Sequence, residues 1–237
     1  MTATAPVAPG GRFNADAVAA AGLPVVCLDT CCILDVVRSP VRDDVGFNER
    51  REALELVRLV ETGSVVSLVA EQVLAEFGDN LSLVETEAEC AVRAHADRIH
   101  AVDALVGLTG PTVTTGVAHL AEHVARTRAW AERLVQASWV VAPDAGVLPR
   151  AFARVMQART PARRGKDSMK DCVVIETYLA AVAGLRHLGL ASPVVFASSN
   201  VRDYGERGTF RPDLEGEAAA VDLRYMPNLA AARNAVG

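Results

Sequence analysis

The chain has 237 residues, 51% of them hydrophobic and 22% charged, with a formal net charge of −5. That length suits one large domain or a domain carrying an insertion, and it buries a core without disulfides or structural metals. The charge fraction excludes whole-chain disorder, the negative balance excludes a protein that coats nucleic acid by bulk charge, and no apolar run reaches the roughly 18–20 residues that span a bilayer. The N-terminus lacks a basic start followed by an apolar core, so it does not read as a secretory signal and a cytoplasmic protein is expected. The five cysteines are odd in number and include no CxxC pair; they read as reduced thiols.

Residues 1–22, rich in Ala, Pro and Gly, read as a flexible arm with one short helix at Ala15–Ala21. PVVCLDT (24–30) is an apolar, β-branched run ending in an acid, the pattern of a buried parallel strand. TCCILDVVR (30–38) has helical spacing, with Thr30 as its N-cap and Pro40 closing it. Asn48–Thr62 is a strongly amphipathic helix ending at Gly63. VVSLVA (65–70) predicts a second strand, and a helix begins at Glu71. From 81 to 137 the pattern is helical, broken at LTGPTVTTG (108–116). SWVVAP (138–143) reads as a short strand or an extended link, and 144–170 as a basic stretch with Pro and Gly. Asp171–Gly184 predicts an apolar helix, PVVFASSN (193–200) a third strand and VDLRYM (221–226) a fourth. This alternation argues an α/β fold around a mainly parallel sheet, a single domain over 23–237 with a helical insertion at about 81–137.

Four places carry carboxylates that such a sheet brings together: Asp29 at the end of the first strand, Glu76 in the helix after the second, Asp171 with Asp167 four residues before it at a helix start, and Asp203 just after the third strand. Ligands of open α/β sheets bind at the carboxyl ends of the strands. Each acid taken singly reads as a loop, cap or solvated helix residue; the set carries the weight. Gathered carboxylates repel and resist desolvation, and a hard, oxygen-seeking divalent cation, Mg2+ or Mn2+, resolves the conflict. Such ions commonly serve phosphoryl chemistry.

PVVCLDTCCILDV, VVSLVAEQVLAEF, KDSMKDCVVIETYLAA and PVVFASSNVRDYG, in this order, resemble the four motif blocks of PIN-domain proteins. The resemblance implies a three-layer α/β/α sandwich and a metal-dependent nuclease, in many members acting on RNA. It maps Asp29 and Thr30 to the first block, Glu76 (with Glu71 the weaker choice) to the second, Asp171 with Asp167 to the third, and Asp203 with Ser198, Ser199 and Asn200 to the fourth. Asn200 stands where an acid is common in the family. The insertion resembles that of larger bacterial PIN-like proteins. A homodimer and an inhibitory protein are partners the resemblance leaves open, and a PIN-like binding module without turnover is the competing reading.

Arg150, Arg154, Arg159, Arg163, Arg164, Lys166 and Lys170 lie within 150–170 against a single acid, Asp167. The segment reads as a strip holding phosphates, with Arg163, Arg164, Lys166 and Lys170 nearest the acids, or as a solvated linker. Thr30, Ser67 and Ser198 are candidate hydroxyls around the site. His119-Leu-Ala-Glu122-His123 matches the H-x-x-E-H zinc-protease pattern, but five histidines make so short a match unspecific, and it leaves the aspartates unexplained.

Overall fold

The structure is a computed structural model that describes residues 10–38, 40 and 46–237. The strands, in chain order, are β1 (Val25–Leu28), β2 (Val66–Ala70), β3 (Trp139–Val141), β4 (Val194–Ala197), β5 (Gly205–Glu206), β6 (Thr209–Phe210) and β7 (Leu223–Met226). The helices are α1 (Ala15–Ala21), α2 (Thr30–Val37), α3 (Phe47–Glu61), α4 (Glu71–Gly107), α5 (His123–Gln136), α6 (Val147–Met156), α7 (Met169–His187), α8 (Val201–Tyr204), α9 (Pro212–Ala220) and α10 (Leu229–Val236), with a 3-10 turn at Ala118–Leu120.

Five strands form one parallel sheet in the order β3-β2-β1-β4-β7, and β5 pairs antiparallel with β6 beside it. Every residue of β1, β2 and β4 is buried. These strands carry unbroken apolar runs because a parallel sheet with helices on both faces has no wet side. On one face α7 crosses β2 and β3, with α1 and α6 packed against it; on the other, α10 lies over β1, β4 and β7 beneath α3. The chain therefore has the α/β/α architecture expected from the sequence. Its order reverses between β1 and β4, the switch point at which such sheets open a crevice at their carboxyl ends.

Several local expectations change. Residues 1–9 of the expected arm lie outside the described residues, but the rest of it is docked. Phe13 N donates to Val140 O at 2.8 Å, Asn14 caps α1, and Val18 is fully buried; small apolar side chains are enough to seat α1 on α7. The stretch 144–170 contains α6, whose Pro149 sits in the first turn, where a missing N–H costs nothing. The hairpin of β5 and β6, α9 with Pro212 at its start, and α10 capped by Asn228 also fall in stretches that lack a clear sequence period. Over the helical stretch, α4 runs unbroken for 37 residues from Glu71. The chain then returns through an extended segment, pinned where Asp103 accepts from Thr115 N and Oγ1 at 2.5 and 3.0 Å, before α5 begins. Among the described residues no helix is long and apolar enough to cross a membrane.

One buried hydroxyl fastens α7 to the sheet directly beneath the crevice. Tyr178 Oη donates to Leu28 O at 2.5 Å and accepts from Ala70 N at 2.9 Å, joining the last residues of β1 and β2. Tyr178→Phe strands a buried N–H and is expected to cost about 1–3 kcal/mol of unfolding free energy. Chemical denaturation with an unchanged m-value would register the loss.

Candidate active site

The site is built where β1 and β4 end. Asp29, 5% exposed, is the first residue past β1 and itself caps α2: its Oδ1 accepts from Thr30 N at 2.9 Å. The expected N-cap, Thr30, is instead the first residue of α2, because the Asp29 carboxylate one position earlier accepts from the free N–H. Thr30 Oγ1 is thereby released to donate to Glu76 Oε2 at 3.0 Å. The other oxygen of Asp29, Oδ2, accepts from Ser198 Oγ at 2.6 Å and from Cys31 Sγ at 3.1 Å. Burial pushes the Asp29 carboxyl well above the usual carboxylate range, aided by the adjacent Cys31 sulfur and by the charge of Asp171.

Glu76 lies on the second turn of α4, where Gln72 Nε2 donates to its Oε1 at 3.1 Å. Asp171 is in the first turn of α7. Its carboxyl is also raised, chiefly by burial and further by the negative charges of Asp203 and Glu76, with Lys166 opposing. Asp203 follows β4 in the short α8, and the neighbouring Tyr204 holds it by packing edge-on to Phe196, ring centroids 4.8 Å apart. Asn200 Nδ2 donates to Asp203 Oδ2 at 2.7 Å, Arg163 Nε lies 3.2 Å from Oδ1, and Lys166 Nζ bonds Oδ2. Burial acts to raise the Asp203 carboxyl, but Lys166, Asn200 and Arg163 outweigh it and hold the group below the ordinary value.

Asp29, Glu76, Asp171 and Asp203 thus share one neighbourhood, joined through Thr30, Ser198, Asn200 and Lys166. Other candidates fall outside it. Asp167 is exposed in the loop before α7; the helix begins at Met169, so Asp167 and Asp171 do not share a helical face. Glu71 is exposed at the start of α4. Ser67 is buried within β2, paired with Ser138 Oγ at 2.7 Å. Arg164 and Lys170 are exposed. His119 lies in the 3-10 turn and His123 is the first residue of α5, so the two do not form a ligand pair on one helix. Gln72 and Cys31 escaped the sequence reading. The spacing of Gln72, four residues before Glu76, could have flagged it, whereas nothing in the local pattern singles out Cys31.

Whether this donor set fits a metal turns on charge and on distance. As the side chains stand, no group of three His, Cys, Asp or Glu residues among the described residues is close enough to hold an ion. The chemistry nevertheless fits a hard divalent cation: all four acids offer oxygen, two are raised by desolvation, and a cation already stands among them, the Lys166 ammonium between Asp171 and Asp203.

The protein is thus a parallel α/β/α sandwich with carboxylates gathered past its central strands. The family model described as "PIN domain" matches residues 26–204, and the chain belongs to the PIN-domain family. PIN domains are generally nucleases, act on nucleic acid and typically use divalent metals. No curated protein and no solved structure gives a significant match.

The raised Asp29 carboxyl has a signed consequence. Its proton is held more tightly in the fold than in the unfolded chain, where the pKa is about 4. Its contribution to stability is therefore fully present below that value and declines as pH rises through the folded one. With a chelator present, Asp29→Asn is expected to flatten the fall of melting temperature between pH 4 and 8 relative to wild type, as differential scanning fluorimetry would record.

Proposed function

We propose that this protein is a divalent-metal-dependent nuclease that hydrolyses phosphodiester bonds in RNA. One observation carries the reading: in a PIN-domain chain, four carboxylates from four separate stretches stand in one neighbourhood at the switch point, with less positive charge than negative among them. Asp29, Asp171 and Asp203 would hold Mg2+ or Mn2+, with Glu76 completing the acidic pocket. A bound ion of this kind lowers the pKa of an attacking water and neutralises charge on the phosphate.

The chain's own residues orient and bind. Ser198 and the Thr30 N–H fix the rotation of the Asp29 carboxylate. Thr30 Oγ1 and Gln72 fix Glu76, each on a different oxygen. Asn200, although amide rather than acid, supports the reading as a donor that steers Asp203. Arg163, Arg164, Lys166 and Lys170 line the approach through α7 and its preceding loop as phosphate contacts, positions that set register without reading sequence. A cytoplasmic location belongs to the same reading.

Purified protein with Mn2+ is expected to cleave labelled single-stranded RNA, and the same-sequence DNA more slowly. Asp171→Asn should lower the rate by at least about a hundredfold, as for loss of a group acting on the transition state, while leaving the circular dichroism spectrum unchanged. Full activity in Asp171→Asn would reject the assignment; Mn2+ and RNA binding without turnover would favour the silent binding module.

A further inference from the structure

The segment that carries Lys166 is a supported arm. Its base is fixed by Arg154, 1% exposed, which donates through Nη1 to Thr160 O at 2.7 Å and pairs through Nη2 with Glu176 and Glu217 at 2.5 and 2.6 Å. Arg159 also pairs with Glu217, and Asp213 accepts from Thr160 N and Oγ1 at 2.7 and 2.6 Å. Thr160, Pro161 and Ala162 are buried on this base. Beyond it the chain turns in the open: Lys166 N donates to Arg163 O at 3.2 Å, and Gly165 takes the left-handed conformation, φ +79°, that the turn requires. The turn delivers both cations to the acids. Lys166 Nζ bonds Asp203 Oδ2 and lies 3.4 Å from Asp171 Oδ2, while Arg163 takes the other oxygen of Asp203.

We infer that Lys166 is a built-in occupant of the metal cup: its ammonium holds Asp171 and Asp203 in the metal-free protein and must be displaced before a divalent ion binds both. The inference rests on the nuclease reading and adds a regulation to it. An ammonium and a divalent ion on the same carboxylate oxygens repel each other, so each lowers the other's affinity for the pair. The anchored base makes Lys166 a competitor at high local concentration rather than a chance surface contact. The Lys166 side chain is 44% exposed and the turn is open, so the ammonium can leave the cup without disturbing the base.

Calorimetric titration with Mn2+ alone tests this without reference to activity. Lys166→Met is expected to bind Mn2+ at least about tenfold more tightly than wild type, to melt lower in chelator because Asp171 then has no cation beside it and Asp203 keeps only Arg163, and to recover on adding Mn2+. Lys166→Arg, which keeps the charge, should stay near wild-type affinity, as should Arg98→Met, which removes an exposed charge from α4. Tight binding by Lys166→Met that disappears when Asp171→Asn is added supports the inference. Equal Mn2+ affinity in wild type and Lys166→Met overturns it while leaving the nuclease reading in place. No Mn2+ binding by either protein overturns both.

Discussion

Everything at this site follows from placing negative charge at the dry end of a parallel sheet. Asp29 is nearly enclosed, and the structure meets it with neutral donors, a backbone N–H and a hydroxyl, while the Cys31 sulfur beside it works against the charge. Such donors stabilise a carboxylate without cancelling its charge, so desolvation prevails and the proton is held tightly. Asp203, about as buried by side-chain exposure, is met by an ammonium and a guanidinium and shifts the other way. The partners of Asp29 are neutral and those of Asp203 are positive, and that contrast marks where positive charge is scarce.

A second charged cluster shows what a saturated arrangement looks like in the same fold. Arg154 is almost wholly buried between Glu176 and Glu217, with Thr160 O taking a further N–H, and Arg150 and Arg159 complete the carboxylates. Each charge has opposite partners, the condition under which burial of ions is tolerated. This cluster ties α6, α7 and α9 together and leaves nothing to attract a ligand. At the carboxyl edge of the sheet four acids face two bases, and the excess is what a dissolved cation can neutralise. One cluster therefore supports the loop, and the other keeps an excess of negative charge.

The amino-acid sequence made the central strands legible because their apolar runs are bounded by acids and turn residues, and a strand with no wet face leaves few other readings. Asp29, Glu76, Asp171 and Asp203 could be picked out because each sits at a fixed step past a strand or at a helix start. Short elements were harder. In α6 a proline and several arginines mask a helix whose buried face is only Val147, Ala151 and Arg154, and the buried arginine is itself what a periodicity argument counts as solvent-facing. Lys166 was visible as a cation, but whether it faced solvent, phosphate or carboxylate depended on a turn and an anchoring network contributed by residues some fifty positions downstream, Asp213 and Glu217.

The acids owe their alignment to strand register. Leu28 is paired with Val69 on one side and Ala197 on the other, so the residues that follow, Asp29, Ala70 and Ser198, emerge at one level. Asp29 N donates to Ala197 O at 3.0 Å, continuing the ladder one step past β1, and Ser198 is thereby brought against the Asp29 carboxylate. A slip of one residue in either pairing would turn Asp29 to the opposite face of the sheet. Helix starts fix Glu76 and Asp171 with similar firmness, through Thr30 and through the first turn of α7. The four carboxylates thus belong to the rigid part of the molecule, while Arg163 and Lys166 ride on an exposed turn. In a site divided this way backbone register fixes the acids while the cations sit on the part of the chain with the fewest anchors, the arrangement that the proposed exchange of Lys166 for a metal ion calls for.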